Sequence, residues 1–388
     1  MKIAQVNVYF YPVMVGGAEW YVFNVSRELV KRGHEVHVYA ADTYQGKKIR
    51  PANDRVEGIY VHRVPLWLDL TYRAKVWRGL KSHLLKGDFD VIHTYDYGQP
   101  HSYVAVKVGK AAKKPVALTV FDVHSMIPRP FYKRLTMKLL DKYLARFTLK
   151  GASKILVRAP NLIDPLIHMG ASIEKIQVTP SGINEEALKP AEGSSFLKDY
   201  AISGRPVILY LGRLHPMKGP QYLIMAAPTI LKTYPNATFV FIGPDQNDYK
   251  SRLTQLGERL RVTENLVFTG PIYDLETKIQ AYAAADVFVL PSGYEGTSQA
   301  IFEAMAQGKP VVATSRGGIP FQVEHEKEAI LVEYGDKKAL ASAVLRLLND
   351  RTFAAKLGTM ARRKVKSFTY PVLVNQIEGI YQSMISCR

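Results

Sequence analysis

The sequence is poor in cysteine, in long apolar runs and in acidic residues. Its one cysteine, Cys387, can form no disulfide within the chain and excludes a cysteine-based metal site. No apolar run reaches the roughly 18 residues that a transmembrane helix needs. The segment Met1–Val8 lacks the apolar stretch of a signal peptide. We therefore expect a cytoplasmic protein that does not span the membrane.

Acidic residues number 34 against 52 lysines and arginines, which gives a net charge of +18. The excess is uneven: residues 1–190 hold 29 basic and 16 acidic residues, and residues 101–150 alone hold 11 and 2. Such a cluster predicts an anionic partner, which can be a phosphorylated substrate, a membrane surface or nucleic acid.

Within that cluster, residues 127–150 combine an apolar stripe with basic neighbours. The stripe recurs every four residues and comprises Phe131, Leu135, Leu139, Tyr143 and Phe147. The pattern fits a helix that lies on anionic lipid at the inner face of the membrane. It fits equally a helix with a core-facing stripe and a solvated basic face. Peripheral membrane contact through 127–150 is one of these two alternatives.

Short apolar runs typical of buried strands alternate with helical patterns along the chain. In the first half, the predicted strands are Lys2–Val8, Glu35–Ala40, Gly58–Val64, Val91–His93, Val116–Val120 and Lys154–Val157. In the second half, beyond a polar linker at about 185–204, they are Pro206–Leu211, Thr238–Ile242, Leu266–Phe268, Val287–Leu290 and Val311–Thr314. The length and the alternation predict an α/β protein with two domains, each built on a parallel sheet.

Two glutamates eight positions apart follow the predicted strand Val287–Leu290. Glu295 lies in a loop, and Glu303 lies in a helix that opens near Thr297 and Ser298. A helix N-terminus at the carboxyl end of a parallel strand offers N–H groups to a phosphate. Because each carboxylate can accept hydrogen bonds from a polyol, the segment predicts a site for a nucleotide-sugar.

A second loop, from Gly212 to Gly219, carries Arg213 and Lys218 directly after a strand. Arginine binds phosphate oxygens with a bidentate fork, and lysine supplies a mobile positive charge. The paired Gly16 and Gly17 mark the first strand–helix turn, where a ligand can approach the backbone closely. No G-x-G-x-x-G is present, which argues against a dinucleotide-dependent dehydrogenase.

The two glutamates resemble the E-x7-E signature of retaining glycosyltransferases of the GT-B fold, family 4 (glycosyl transferases group 1). The loop Gly212–Gly219 is similar to the G-R-x4-K-G element of that family, and Gly16–Glu19 is similar to its G-G-x-E turn. The resemblance implies two Rossmann-like domains that face each other across a cleft. It assigns residues 1–184 to the acceptor and 185–368 to the nucleotide-sugar, and residues 369–388 to a helix that crosses back to the first domain.

The resemblance also implies roles for individual residues. Glu295 positions the donor sugar, Glu303 binds the ribose, and Arg213 and Lys218 stabilise the departing diphosphate. The family has a His-Asp pair after the strand Val116–Val120; here Phe121 and Asp122 stand at those positions, and His124 is the nearest histidine. The implied catalytic residues are Glu295, Arg213, Lys218 and His124. The implied donor-binding residues are Gly16, Gly17, Gly212, Thr297, Ser298, Gln299 and Glu303.

On the acceptor side, the candidates are Asp122 and two residues at the end of another strand, His93 and Asp96, for which a structural role is equally compatible with the sequence. We expect a retaining glycosyltransferase that uses a UDP- or GDP-sugar and a hydroxyl acceptor, either a sugar or a lipid-linked compound. We expect no cofactor and no essential metal, because Arg213, Lys218 and helix N–H groups supply the positive charge.

Two other functions remain as alternatives at this point. A nucleotide-sugar epimerase of the same fold would use the same donor pocket, although the further acid residues that it needs are not evident. A basic protein that binds nucleic acid or membrane without catalysis would explain the net charge. No RRM, KH or helix-turn-helix pattern is present, so we expect no specific nucleic-acid partner.

Overall fold

The chain forms two compact units in a computed structural model that describes residues 1–14, 16–69, 75–123 and 141–386. The first unit comprises Met1–Gly182 and Tyr370–Arg388, and the second comprises Ile183–Thr369. The boundaries predicted from the sequence lie two residues and one residue away from these. That the first unit binds the acceptor and the second unit binds the donor stays a prediction.

The first unit is built on an eight-stranded sheet in the order β12-β11-β10-β9-β1-β2-β6-β5, with a short hairpin at β3–β4 and another at β7–β8. All neighbouring strands of the large sheet are parallel except β5, which pairs antiparallel with β6 at one edge. In the part of this unit that the structure describes, the strands are β1 Lys2–Val6, β2 Glu35–Ala41, β3 Thr43–Tyr44, β4 Lys47–Lys48, β5 Asn53–Val56, β6 Ile59–Val64, β7 Leu66–Asp69, β8 Lys75–Trp77, β9 Val91–Tyr95, β10 Val116–Val120, β11 Lys154–Val157 and β12 Ile176–Val178.

Before residue 183, the described residues of this unit form the helices α1 Gly17–Lys31, α2 Leu80–Lys86, α3 Pro100–Ala112, α4 Arg146–Gly151 and α5 Ile163–His168. The inner strands β9 and β10 are buried at every residue. Full burial on both faces explains why β10 is a nearly continuous apolar run. In β9, the buried polar side chains of His93 and Thr94 are hydrogen-bonded inside the unit.

The second unit is built on a six-stranded, fully parallel sheet in the order β15-β14-β13-β16-β17-β18. Its strands are β13 Val207–Leu211, β14 Thr238–Ile242, β15 Leu266–Gly270, β16 Val287–Leu290, β17 Val311–Thr314 and β18 Ala329–Val332. Its helices are α6 Ser194–Asp199, α7 Pro220–Leu231, α8 Tyr249–Leu260, α9 Leu275–Ala284, α10 Gln299–Ala306, α11 Ile319–Gln322, α12 Lys337–Asn349 and α13 Arg351–Val365.

Side-chain caps fix where several of these helices begin. Asp274 accepts a hydrogen bond from Thr277 N at 2.7 Å, and Asp336 accepts from Lys338 N and Ala339 N at 3.0 and 2.9 Å. Each carboxylate satisfies N–H groups that have no partner inside the helix, and it also interacts favourably with the helix dipole.

Several elements differ from the sequence prediction. The prediction missed the short strands β3, β4, β5, β7, β8, β12 and β18, because segments of two to four residues are too short to show a period. The segment predicted as a polar linker at 185–204 instead contains a 3-10 turn, Glu185–Leu188, and helix α6. Phe196 anchors that helix, since its side chain is fully buried in the core of the second unit.

The last helix, α14 Tyr370–Ser386, belongs to the first unit and packs against α1. The guanidinium of Arg32 donates to Pro371 O at 2.7 Å and pairs with Glu378 at 3.1 Å. His34 Nε2 also lies 2.9 Å from Glu378 Oε1. The expectation that the C-terminal segment returns to the first domain is thereby met.

Candidate active site

The sheet of the second unit has its topological switch point between β13 and β16. The chain leaves β13 toward β14 and β15 and then returns to β16 on the other side of β13. Ligands of open α/β sheets bind where the order of strands reverses, beyond the carboxyl ends. The loops after β13 and β16 carry the predicted residues Arg213, Lys218 and Glu295, so the fold brings the two sequence motifs together.

Lys218 and Glu295 form an ion pair across these two loops. The Nζ atom of Lys218 lies 2.7 Å from both carboxylate oxygens of Glu295. The hydroxyl of Ser292 donates to Oε1 of the same carboxylate at 2.7 Å. Glu295 is only 8% exposed, and the cation offsets the cost of burying the carboxylate. A carboxylate has about four acceptor sites, so it retains capacity for hydroxyl groups of a ligand.

Glycines allow the loops to approach each other this closely. Gly219 has a φ of +76°, and a Cβ atom there would lie 1.9 Å from Pro291 O. Gly317, with a φ of +61°, lies so close to Glu295 that a Cβ would be 2.2 Å from its carbonyl oxygen. That carbonyl accepts from Gly318 N at 2.7 Å. The loop after β17 therefore fixes Glu295. This loop was missed in the sequence, although its Gly-Gly pair directly after a strand could have indicated it.

Arg213 is exposed, and its Nη1 donates to Gln246 Oε1 at 3.2 Å. Its own carbonyl is fixed because Tyr210 OH donates to it at 2.9 Å. Between the two cations lies His215, whose pKa is lowered by partial burial and by the charges of Arg213 and Lys218. The loop thus presents positive charge without help from a charged histidine.

The predicted helix N-terminus lies at Ser298, which caps α10. Its hydroxyl accepts from Ile301 N at 3.4 Å, while its backbone N–H and C=O bond the side chain of Gln322 at 2.7 and 3.0 Å. The Thr297 hydroxyl is buried and has no hydrogen-bond partner among the described residues. Gln299 is the first residue of the helix. No pattern in the sequence indicated Gln322, which comes from α11.

Glu303 is 7% exposed and is held from α9. The hydroxyl of Tyr282 donates to its Oε2 at 3.0 Å, and Lys278 Nζ lies 3.7 Å from its Oε1. Burial and the nearby Glu303 charge raise the pKa of Tyr282 well above its usual value, so the phenol remains a donor. Lys278 and Tyr282 were missed as site residues, although their i,i+4 spacing places them on one helix face.

In the first unit, Gly16 and Gly17 stand at the start of α1. Gly16 N donates to Glu19 Oε2 at 2.9 Å, and a Cβ at Gly17 would meet open space within 4 Å. Burial raises the pKa of Glu19 to about 7; backbone hydrogen bonds oppose this rise, and the charge of Asp96 adds to it. Space for a ligand is therefore present at this turn, beside a carboxyl that is easily protonated.

His93 is a correction to the acceptor-side candidates, because its side chain is fully buried. Its Nδ1 lies 2.5 Å from Tyr381 OH, and its Nε2 lies 2.8 Å from Thr119 Oγ1. Burial lowers its pKa to about 3. With both ring nitrogens bonded inside the first unit, His93 contributes to the packing of α14 and has no nitrogen left for an acceptor.

The other acceptor-side candidates stand at strand ends. Asp96 has a φ of +60° and accepts from Phe121 N at 3.3 Å, and Asp122 is half-buried just after β10. Phe121 itself is buried; its ring stacks on Tyr95 at 5.8 Å, and the Arg158 guanidinium lies 5.5 Å from its centroid. Phe121 therefore fills an aromatic cluster at the position where the family has a histidine.

His124 lies outside the described residues, as does most of the segment 127–150. In its described part, Phe147 packs on Tyr103 with ring centroids 4.5 Å apart, whereas Tyr143 is 65% exposed. The apolar stripe thus faces the protein at one of these positions and solvent at the other. Membrane contact stays a prediction.

No group of three or more His, Cys, Asp and Glu side chains in the described ranges could hold a metal ion. Of the helices that the structure describes, none is both long enough and apolar enough to cross a membrane. That no cofactor or metal is needed remains an expectation.

The chain matches two protein-family models, one for each half. Residues 15–187 match "Glycosyltransferase Family 4", and residues 205–350 match "Glycosyl transferases group 1". The chain is 31% identical to the putative glycosyltransferase YtcC of Bacillus subtilis, over 87% of this chain and 81% of that protein. It is 26% identical to a D-inositol 3-phosphate glycosyltransferase of Acidothermus cellulolyticus, over 100% of this chain and 91% of that protein.

Among solved structures, Anabaena Alr3699/HepE in complex with UDP resembles this fold with a TM-score of 0.80 at 22% identity, over 99% of this chain and 100% of that one. The protein is a glycosyltransferase with the GT-B architecture of two Rossmann-like domains. It belongs to the glycosyl transferases group 1, the family 4 glycosyltransferases.

Proposed function

We propose that this glycosyltransferase moves a sugar from a UDP- or GDP-sugar to a hydroxyl acceptor, with retention of configuration at the anomeric carbon. The observation that carries the proposal is the Lys218–Glu295 pair at the switch point of the second sheet. It joins a cation suited to a diphosphate with a buried carboxylate suited to sugar hydroxyls. The UDP bound to the similar HepE structure favours UDP as the first nucleotide to test.

We assign the binding of the diphosphate to Arg213, Lys218 and the N-terminus of α10. The fork of Arg213 is exposed and bonded only weakly to Gln246, so it can turn toward phosphate oxygens at little cost. Lys218 is partly buried, with 21% of its side chain exposed, which keeps its charge close to the loop after β16. The N–H groups at the start of α10 add a favourable dipole for an anion.

We assign the binding of the donor sugar and of the ribose to the two buried glutamates. Glu295 accepts hydrogen bonds from hydroxyls of the donor sugar, and Glu303 accepts them from the ribose. Because Tyr282 and Lys278 already hold Glu303 in one orientation, little side-chain entropy is lost when a ribose binds.

In the transfer step, the bond between the anomeric carbon and the diphosphate oxygen breaks, and a bond from the acceptor oxygen to that carbon forms on the same face. The acceptor proton passes to the departing diphosphate. Arg213 and Lys218 stabilise the charge that develops on the diphosphate in the transition state. Glu295 holds the sugar and does not attack it.

The acceptor is a hydroxyl compound that we assign to the first unit, with Asp96 and Asp122 as its candidate contacts. This acceptor is either a sugar or a lipid-linked compound. A lipid-linked acceptor would bring the protein to the inner face of the membrane. Neither a metal nor another resident cofactor enters the proposed reaction, since the chain's own cations supply the positive charge.

Thermal unfolding with UDP, GDP, ADP and their sugar conjugates, with and without EDTA, tests the donor site. A ligand that binds only the folded protein raises Tm by mass action. We expect one nucleotide family to raise Tm, EDTA to have no effect, and Arg213→Ala to abolish the rise. A protein that responds to none of these nucleotides contradicts the proposal. Conversion of the donor to an epimeric nucleotide-sugar without any acceptor would replace it by the epimerase function.

A further inference from the structure

We propose that a lysine-lined pocket in the first unit binds a phosphate-bearing anion. The pocket lies where β10 and β11 begin, whereas Asp96 and Asp122 lie at the opposite, carboxyl ends of the strands. Its volume is about 500 Å³, within the range of small-molecule sites. Its lining includes Lys110, Lys113, Lys114, Gly151, Lys154 and Ser383.

The charge of this lining is of one sign. Four lysines face the concavity, and none of the described lining residues is acidic. A concave surface focuses the field of the lysines that line it on what enters it. A multivalent anion gains most from that field. Phosphate groups fit better than a single carboxylate, because each carries several oxygens and close to two charges.

All four ammonium groups retain donors for a ligand. Lys113 makes no hydrogen bond or ion pair within the described residues, and Lys110 Nζ lies 4.8 Å above the Phe147 ring. Lys154 donates one bond, to Glu174 O at 3.1 Å. An ammonium group has three N–H donors, so one such bond leaves two.

Among the described residues, Lys114 is the one lysine of the pocket with a carboxylate partner. It pairs with Asp88 at 2.9 Å, and the Asp88 side chain is 88% exposed. An ion pair with so exposed a carboxylate contributes little to stability and is easily exchanged for a ligand.

The ends of two helices fix the walls of the pocket. Lys113 adopts a left-handed conformation with a φ of +52° at the end of α3, where Lys114 N donates to Gly109 O at 2.8 Å. A Cβ at Gly151, the last residue of α4, would lie 3.0 Å from Lys110 Cε. The pocket is therefore formed without a ligand, which lowers the entropic cost of binding.

Stabilisation of helix ends explains only part of this cluster. Cations near a helix C-terminus interact favourably with its dipole, which accounts for Lys110 and Lys113. Lys114 and Lys154 are placed differently, because they stand at the entrances of β10 and β11. Their convergence with the helix-end lysines is what indicates a ligand.

Protection of lysines from acetylation locates the site in the unmodified full-length chain. The protein is treated with an acetylating reagent, with and without inorganic tripolyphosphate near physiological ionic strength, and each lysine is followed by mass spectrometry. We expect tripolyphosphate to slow acetylation of Lys110, Lys113 and Lys154 severalfold, and to leave the exposed Lys338 and Lys356 unchanged. Equal protection at all exposed lysines, or none in the pocket, overturns the proposal.

A pair of charge-matched double variants measures the affinity. Because tripolyphosphate also resembles the donor diphosphate, both doubles are compared with the parent chain by calorimetry. Lys110→Gln with Lys113→Gln should lose the tight binding component or weaken it about tenfold. Lys338→Gln with Lys356→Gln removes the same charge from the second unit and should leave it unchanged. Equal losses in both doubles would mean non-specific attraction and overturn the proposal.

Vesicles distinguish the two sources of such a phosphate. Flotation with phosphatidylglycerol vesicles, against phosphatidylcholine alone, is repeated with the same two doubles. If the pocket double alone loses vesicle binding, and tripolyphosphate competes with the vesicles, the phosphate is a lipid head group. If vesicle binding is absent or equal in both doubles while the calorimetric difference persists, the ligand is a soluble phosphate compound.

Discussion

The two units surround their buried glutamates differently. In the second unit, the carboxylates of Glu295 and Glu303 lie beside the ammonium groups of Lys218 and Lys278. In the first unit, burial shifts pKa values toward the neutral forms, to about 7 for Glu19 and about 3 for His93. The buried carboxylates of the second unit thus have cations as partners, whereas Glu19 of the first unit accepts its hydrogen bond from the backbone N–H of Gly16. This contrast agrees with the proposal of a charged diphosphate in the second unit and a hydroxyl acceptor in the first.

The most severe test of the contrast removes the charge of Glu295. We expect Glu295→Gln to lower kcat/KM for the donor about 100-fold, or about 2.7 kcal/mol, because charge-assisted hydrogen bonds to the sugar are lost. Steady-state kinetics with the nucleotide-sugar found by thermal shift measure this. Glu264→Gln, an exposed residue of the same unit, is the control. Full activity and unchanged donor affinity in Glu295→Gln would remove this residue from its role.

A second test removes the cation and leaves the buried carboxylate. Lys218→Met should destabilise the second unit by about 2 kcal/mol, since the Glu295 carboxylate then has only Ser292 and solvent as partners. Adding Glu295→Gln to Lys218→Met should recover part of that loss. Hydrogen exchange of peptides from the second unit measures both the loss of stability and its recovery. Additive effects of the two changes would show that the ion pair does not stabilise the fold.

The first unit is probed through the titration of Glu19. Between pH 4.5 and about 7 the unfolded chain releases the Glu19 proton while the folded chain keeps it, so this residue lowers stability as pH rises. Glu19→Gln should therefore stabilise the first unit by about 1 to 2 kcal/mol near pH 8 and change it little near pH 5.

All three tryptophans, Trp20, Trp67 and Trp77, lie in the first unit, so tryptophan fluorescence during urea unfolding follows that unit. His93 changes stability with pH in the opposite direction, because its lowered pKa reduces stability as pH falls below 6.5. Both proteins contain His93, so its contribution cancels when their stabilities are compared. A constant difference between Glu19→Gln and the parent at both pH values would contradict the proposed protonation.

The smallest effect is expected at Tyr282, which orients Glu303. Tyr282→Phe should weaken nucleotide binding about fivefold, or about 1 kcal/mol, because Glu303 loses its neutral donor and keeps Lys278. Calorimetry with the nucleotide measures the change. Tyr234→Phe removes a hydroxyl bonded to Asn349 at 2.7 Å on the surface and serves as the matched control. Equal affinities in the two variants would separate Tyr282 from the nucleotide site.

Much of the fold was accessible from the sequence because its strands are apolar and its motifs follow strand ends. Strands β10, β11, β14, β16 and β17 match the predicted bounds. The short strand β18 and helix α6 were missed, since four to six residues carry no clear period. In the site, Arg213, Lys218 and Glu295 could be predicted as neighbours, because carboxyl ends of adjacent parallel strands meet at one edge.

The sequence by itself determined the α/β class and the residues of the donor motifs, because periodicity and local spacing encode them. The return of the last helix to the first unit was implied by the resemblance to the family. Only the tertiary structure decided that Lys218 pairs with Glu295, that Tyr282 and Gln322 support the site, and that His93 is buried beneath α14. It also gathered lysines from α3, β11 and the segment before β10 around one pocket. These contacts join residues far apart in the chain, and their geometry depends on how helices pack on the sheets.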